Sequence, residues 1–333
     1  MEKEKRRPPP MSLSENFRFF EKSLGFENDI KWTNSILIVL YHVVGVYWCY
    51  HYALPCKWQT VVFAAFMYVM SGFGVTGGAH RLWTHKAYKA NLPLKIFLLT
   101  CFSSAGQNTL TQWVRDHRLH HKYSDTAADP HDATRGLFFS HIGWLMMRKN
   151  DQVLSKGKEI DMSDVLADPL VRLHERYFTP LKLLLCYVLP TLAGVALWGE
   201  GWRAAVAWQC FIRYIGVFHS ELTVNSLAHA FGYKPYNKNL RPAENRFVAT
   251  CTLGEGWHNY HHAFPFDYKA AEHYDILNVA TWLIKFFAYI GWATDLKEAT
   301  PQMINSIAKR LGDGTPVHFP LDSGVQVSAR ASG

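Results

Sequence analysis

SILIVLYHVVGVYWCYHYAL, residues 35–54, runs for 20 residues without Asp, Glu, Lys or Arg. At about 1.5 Å per residue a helix of that length spans roughly 30 Å, the hydrocarbon thickness of a bilayer. A Pro55-Cys56-Lys57 turn leads into a second uncharged run, residues 59–79. A third covers residues 178–198, with Lys182 near its start, and Gly199-Glu200-Gly201 turns it into a fourth, about 204–224. The fourth holds Arg213 and Glu221, charges that a span must shelter inside protein. Residues 92–110 are apolar too, but Ser103, Ser104, Gly106, Gln107 and Asn108 interrupt them, so this stretch reads as interfacial or buried against the bundle. Residues 276–292 read as an amphipathic helix on the membrane surface.

Charge orients these runs. Seven Lys/Arg residues precede Ser35, whereas the two short connections carry only Lys57 and Arg203. By the positive-inside rule both termini and the 80–177 segment face the cytosol. The expected fold is therefore an all-α membrane protein: four transmembrane helices in two hairpins, with a cytosolic helical cap holding a His-rich di-metal site. Residues 1–31 are expected to be a disordered cytosolic tail, 32–313 the membrane and catalytic domain, and 314–333 a disordered C-terminal tail. The MEKEKRRPPPMS start lacks the apolar core of a signal peptide.

Mean hydropathy is only −0.10 although 49% of residues are hydrophobic, so apolar residues are segregated into discrete runs. The net charge of +8 comes with no nucleic-acid motif, which favours a membrane face or an acidic ligand over nucleic acid. Six cysteines without a CxxC spacing do not make a disulfide framework.

Seventeen histidines are the anomaly, and they cluster. His80-Arg-Leu-Trp-Thr-His85 follows the second run. His117-Arg-Leu-His120-His121 and His258-Asn-Tyr-His261-His262 each place i, i+3 and i+4 on one side of a helix. His229 follows the fourth run at the same depth. A lone histidine is usually a packing or surface residue, but eight in three clusters point to metal. One zinc takes three or four ligands, so this many imidazoles suit two metals. Imidazole binds Zn, Cu, Fe and Ni alike and does not choose among them.

At these residues the sequence resembles the membrane acyl-CoA desaturases, the stearoyl-CoA (Δ9-type) family and its insect relatives. The matching text is GVTGGAHRLWTH (74–85), QWVRDHRLHHKYSDTAADPHDATRGLFFSHIGWL (112–145) and GEGWHNYHHAFPFDYKAAE (254–272). The resemblance extends over roughly 32–313. It implies an O₂-dependent enzyme that inserts a cis double bond, at Δ9 or a related position, into a saturated or monounsaturated acyl-CoA. It implies two irons held by His80, His85, His117, His120, His121, His229, His258, His261 and His262, with Asn225 holding a metal-bound water. It also implies that Asn34, Asn108, Arg115, Asp116, Arg148 and Lys149 meet the acyl-CoA head group. Gln107 and Trp113 would line the bend of the acyl tunnel, and Tyr68 and Gly72 would lie near its closed end. The implied setting is the endoplasmic reticulum membrane, with electrons from cytochrome b5 and its NADH-dependent reductase.

Two positions depart from the family. Its common Thr-Trp-Leu-Val-Asn is here Glu221-Leu-Thr-Val-Asn225, so a carboxylate either faces the tunnel or, the favoured alternative, turns to a basic partner. Gly72 stands where relatives often carry a larger residue such as Ala, which would deepen the tunnel. Asp116 beside Arg115 is expected to orient that arginine. A di-iron membrane hydroxylase would use similar boxes and yield an alcohol. A zinc-dependent membrane hydrolase or receptor would need about three histidines, one metal and no reductant. Front-end desaturases carry a fused cytochrome b5 domain and a Gln-led third box, and neither is present in this sequence.

Overall fold

The computed structural model describes residues 13–23, 26, 28–272 and 277–317. Three helices are long and apolar enough to cross a bilayer: α2 (Trp32–Tyr52), the helix Trp58–Thr84 and the helix Phe178–Trp198. In α2 only Gly45 is buried, because a Cβ there would come within 3.0 Å of Ile215 and Phe211. The other faces expose Leu37, Val43 and Val46, a surface suited to lipid rather than water. The chain is built as a membrane protein.

A fourth long helical stretch covers 202–230 and includes the segment expected as a fourth span. It falls outside the set long and apolar enough to cross. Arg213 is the physical reason it can still lie inside the bundle. The side chain is buried and donates to the carbonyls of Ser104, Gln209 and Cys186, so no donor faces an apolar neighbour. The two short connections lie together: Glu200 accepts from the Lys57 and Gly201 amides at 2.8 and 2.9 Å.

Helix α3 (Trp58–Phe73) continues as a π-helix, Gly74–Thr84, against α4 (Leu92–Ala105). Gly74 permits that approach, since a Cβ would lie 2.1 Å from the Phe102 amide nitrogen. The apolar 92–105 stretch is thus a helix buried against the bundle. It ends at Gly106, whose φ of +72° turns the chain into α5 (Leu110–Tyr123). The short helices Asp151–Lys158, Ser163–Ala167 and Pro169–Arg176 complete the layer around α5. Lys89–Ala90 pairs antiparallel with Ala293–Thr294. Val279–Tyr289 buries Ile284 and Phe287 and exposes Trp282, Phe286 and Tyr289, so apolar side chains stand on both of its faces.

The N-terminal expectation needs correction. Within the stretch expected to be disordered, α1 (Leu13–Ser23) is a helix. Glu21 tethers it by accepting from the Trp32 indole at 3.0 Å and the Ile30 amide at 3.3 Å. The C-terminal tail beyond residue 317 lies outside the described residues.

Candidate metal centre

His80 and His85 are five residues apart, a spacing that an α-helix would turn to different sides. The π-helix, whose bonds run i to i+5, keeps them together, and the His85 amide donates to the His80 carbonyl at 3.1 Å. On α5, His117 and His121 are one turn apart while His120 lies to the side. The short helix His258–Ala263 repeats this with His258 and His262 flanking His261. His229 comes from the last turn of the helix Tyr214–Ala230.

The nine imidazoles gather into two groups. His80, His85, His117, His121 and His261 form one, and His120, His229, His258 and His262 the other, with ligand atoms within 4.8 Å of one another in each. Each His-x-x-His-His box therefore divides between the groups. In the second box the outer pair joins the group of five; in the third it joins the group of four.

The ring nitrogens crowd as ligands to a common ion do. In the first group His261 Nε2 lies 2.9 Å from His80 Nε2 and 3.0 Å from His121 Nε2. In the second, His258 Nε2 lies 3.1 Å from His229 Nε2 and 3.2 Å from His262 Nε2. His85 Nε2 and His117 Nε2 are buried with no protein partner among the described residues. Convergent nitrogens and orphaned acceptors fit a cation at each group. Burial lowers His85, His117, His121, His258, His261 and His262 well below the ordinary histidine value, and neighbouring imidazoles lower them further. The rings are neutral, the form that binds metal.

Carboxylates on the outer side fix ring orientation. His80 Nδ1 lies 2.9 Å from Glu255, His120 Nδ1 lies 2.8 Å from Asp129, and His229 Nδ1 lies 3.0 Å from Asp125. A proton held at Nδ1 leaves Nε2 free to coordinate. Burial works to raise Glu255, yet Arg81 and His80 bring it down to about 2. Arg81 is itself fully buried and donates to Glu255 at 2.7 Å and to the Tyr268 carbonyl at 2.8 Å. Sequence reasoning missed this carboxylate layer, although its signal was there: Asp125 and Asp129 follow the second box closely, and Glu255 precedes the third.

Two cavities meet at this centre. The outer, about 390 Å³, is lined by Asn34, Gln107, Asn108 and Asp116, and also by Lys182 and His42, which the sequence did not single out. The inner, about 70 Å³, reaches Tyr68 and Gly72. Trp113, His117, Glu221 and Asn225 line both, so the passage between them runs past a group of histidines. The Trp113 ring stacks on His117, centroids 4.9 Å apart. Tyr68 closes its corner by donating to the Cys251 carbonyl at 2.5 Å.

Two electrostatic expectations are corrected. Glu221 turns to no cation; it faces the passage and accepts from the Trp113 indole at 2.8 Å, although Lys182 lines the same outer cavity. Asp116 pairs with Lys149 rather than with its chain neighbour Arg115, which points outward from α5 and is exposed. Arg148 is exposed as well.

A family model described as fatty acid desaturase matches residues 56–296. The acyl-CoA Delta(11) desaturase of Spodoptera littoralis is 50% identical over 289 residues, covering 86% of this chain and 85% of that protein. The acyl-CoA Delta-9 desaturase of Acheta domesticus is 46% identical over 87% of this chain and 81% of its own length. Stearoyl-CoA desaturase 5 of Bos taurus is 46% identical over 87% of both chains. Likeness at that level, across nearly the whole described fold and through every histidine box, leaves one assignment: the chain belongs to the fatty acid desaturase family.

Proposed function

We propose that the protein is an acyl-CoA desaturase of the endoplasmic reticulum membrane that binds two irons and uses O₂ to place a cis double bond in a long acyl chain. The observation that supports it most is the shared lining of the two cavities: a passage from the outer cavity into an apolar inner chamber goes past imidazoles of both groups. Nine histidines in two groups exceed what one zinc uses, which speaks against a zinc hydrolase or receptor. Four crossings, with both termini and the histidine layer on the cytosolic side, agree with the Lys/Arg distribution.

Two irons, when bound, would supply the oxidising power that an unactivated methylene demands. Overall, O₂, two electrons and two protons convert one –CH₂–CH₂– unit to –CH=CH– and two waters. Cytochrome b5, re-reduced by its NADH-dependent reductase, would bring the electrons. The rest falls to the chain's own side chains. The head group is met at the mouth by Asn34, Asn108 and the Lys149–Asp116 pair, with Arg115 and Arg148 outside and Lys182 added to the set. Trp113, braced by Glu221 and stacked on His117, holds the tail at the bend beside Gln107. Asn225, one turn from His229, offers an amide to water at the centre. Tyr68 and Gly72 end the tunnel and set how far the methyl end can travel. Regioselectivity is then a matter of distance along a fixed path, the orientation term of catalysis.

Expression in a yeast lacking its own desaturase tests this, with double bonds mapped by mass spectrometry and metal counted on purified protein. An alkene and two irons per chain are expected. An alcohol product would mean a hydroxylase, and a single zinc would overturn the proposal.

A further inference from the structure

Helix α1 lines neither cavity and holds no histidine, yet its place beside α2 is fixed by named contacts. Phe17 packs edge-on against Trp32, the first residue of α2, with ring centroids 6.4 Å apart. The buried Glu21 accepts from the Trp32 indole at 3.0 Å, and Arg18 pairs with Asp29 at 2.9 Å and with Glu21 at 3.3 Å. Trp32 opens a helix long and apolar enough to cross a bilayer. Its ring therefore stands where hydrocarbon gives way to headgroups, the level at which tryptophan gathers. Helix α1 is held at that level too. There its charges and its rings part company. Arg18 and Glu21 turn to the protein, whereas Phe17, Phe19 and Phe20 are 51%, 69% and 50% exposed. Phe17 and Phe20 share one side as i and i+3, and Phe19 borders it. Three large rings so close together are costly to leave in water. They also continue a lipid-facing surface: Trp32, Ile36 and Leu40 follow one another at single turns of α2 and are all exposed, a stripe that runs up to the ring on which Phe17 packs.

We propose that α1 lies in the plane of the bilayer surface, with Phe17, Phe19 and Phe20 sunk among the headgroups and upper acyl chains of the leaflet in which α2 begins. A helix so placed carries its apolar side about 5–10 Å into that boundary. The segment that joins α1 to α2 extends the consequence. Ile30 bridges Met147, the Lys31 amide donates to the Met146 carbonyl at 2.7 Å, and the Arg148 amide donates to the Asp29 carbonyl at 2.8 Å. Seating α1 in lipid thus also sets the height of residues 146–148, next to Leu145 and across from Asn34 on the wall of the outer cavity. This rests on the chain being a membrane protein and not on its reaction.

The test uses the full-length protein in phosphatidylcholine nanodiscs and needs no turnover. Phe19 and, in a second sample, Phe20 are replaced by para-trifluoromethyl-phenylalanine, a change small enough to leave the helix in place. Fluorine relaxation is then measured with a lipid that carries a nitroxide near the top of its acyl chain, and separately with a water-soluble gadolinium chelate. The same probe at Leu40, on the exposed stripe of α2, and at Glu159, an exposed charged position of the cap, supplies the lipid and water references. At both phenylalanines the nitroxide lipid should relax the fluorine several-fold more than at Glu159, and the chelate several-fold less. Relaxation by the chelate equal to that at Glu159 would put the rings in water and overturn the proposal. Shielding from both probes would mean that protein covers this side of the helix, a second copy or another partner, and would overturn it as well.

Discussion

His117, His120 and His121 show how one turn of helix serves two groups of imidazoles. The i and i+4 rings lie edge-on to each other on one side of α5 and the i+3 ring leaves on another, so the three histidines divide between the two groups. Histidines 261 and 262 are likewise adjacent yet face different groups. Their alanine variants should therefore differ in which metal they lose: His261→Ala weakens the group of five and His262→Ala the group of four. Elemental analysis should find about one metal retained in each, with desaturation abolished in both and the protein still in the membrane. Two metals and full turnover in either variant would count against ligation. On the proposed reading Gly72 stands at the end of the acyl tunnel instead. A Cβ there would lie 3.3 Å from Leu253 Cδ1, so Gly72→Ala narrows the chamber's end. Product analysis should show the preferred chain shortening, and an unchanged length profile would mean the tail does not reach this point.

Among the elements, the π-helical extension of α3 and the break after α4 place the first two boxes. Without i to i+5 bonding, His80 and His85 would diverge. Gly106 has the comparable task of turning the chain sharply enough for α5 to return over the bundle. Its φ is +72°, and a Cβ would meet the Tyr214 ring at 2.5 Å. Gly106→Ala should cost roughly 1–3 kcal/mol through left-handed strain and that clash. The expected readout is a lower melting temperature in nanodiscs, together with weaker metal retention because α5 carries three of the nine histidines. An unchanged melting temperature would show that the turn has another solution.

For the whole molecule, the buried imidazole cluster links stability to pH. The cited histidines have folded pKa values well below the ordinary 6.5, because burial disfavours their charged form. Below about pH 6.5 the unfolded chain binds protons that the folded chain does not, so acid favours unfolding. Metal-free protein should lose thermal stability steadily from about pH 6.5 downward and be flat above it. Bound metal, which also requires neutral rings, should raise stability most near neutral pH and be released on acidification. A melting temperature that is constant from pH 7 to 5 in the metal-free protein would contradict the burial of these rings.

Much of this protein is written locally. A lipid-length apolar run needs only about twenty consecutive residues, and the i, i+3, i+4 pattern of a histidine box needs five, so neighbours in sequence determine spans and metal-binding chemistry. Partners are another matter. Trp113 and Glu221 are 108 positions apart, and His80 and His261 are 181 apart. No local signal says that an indole rather than a cation would meet that carboxylate, that Lys149 rather than Arg115 would take Asp116, or that Glu21 would gather the N-terminal segment into a helix. Which histidine joins which group was decided only when distant helices closed on one another, because an interaction that acts over a few ångströms exists only once the fold has brought its two ends together.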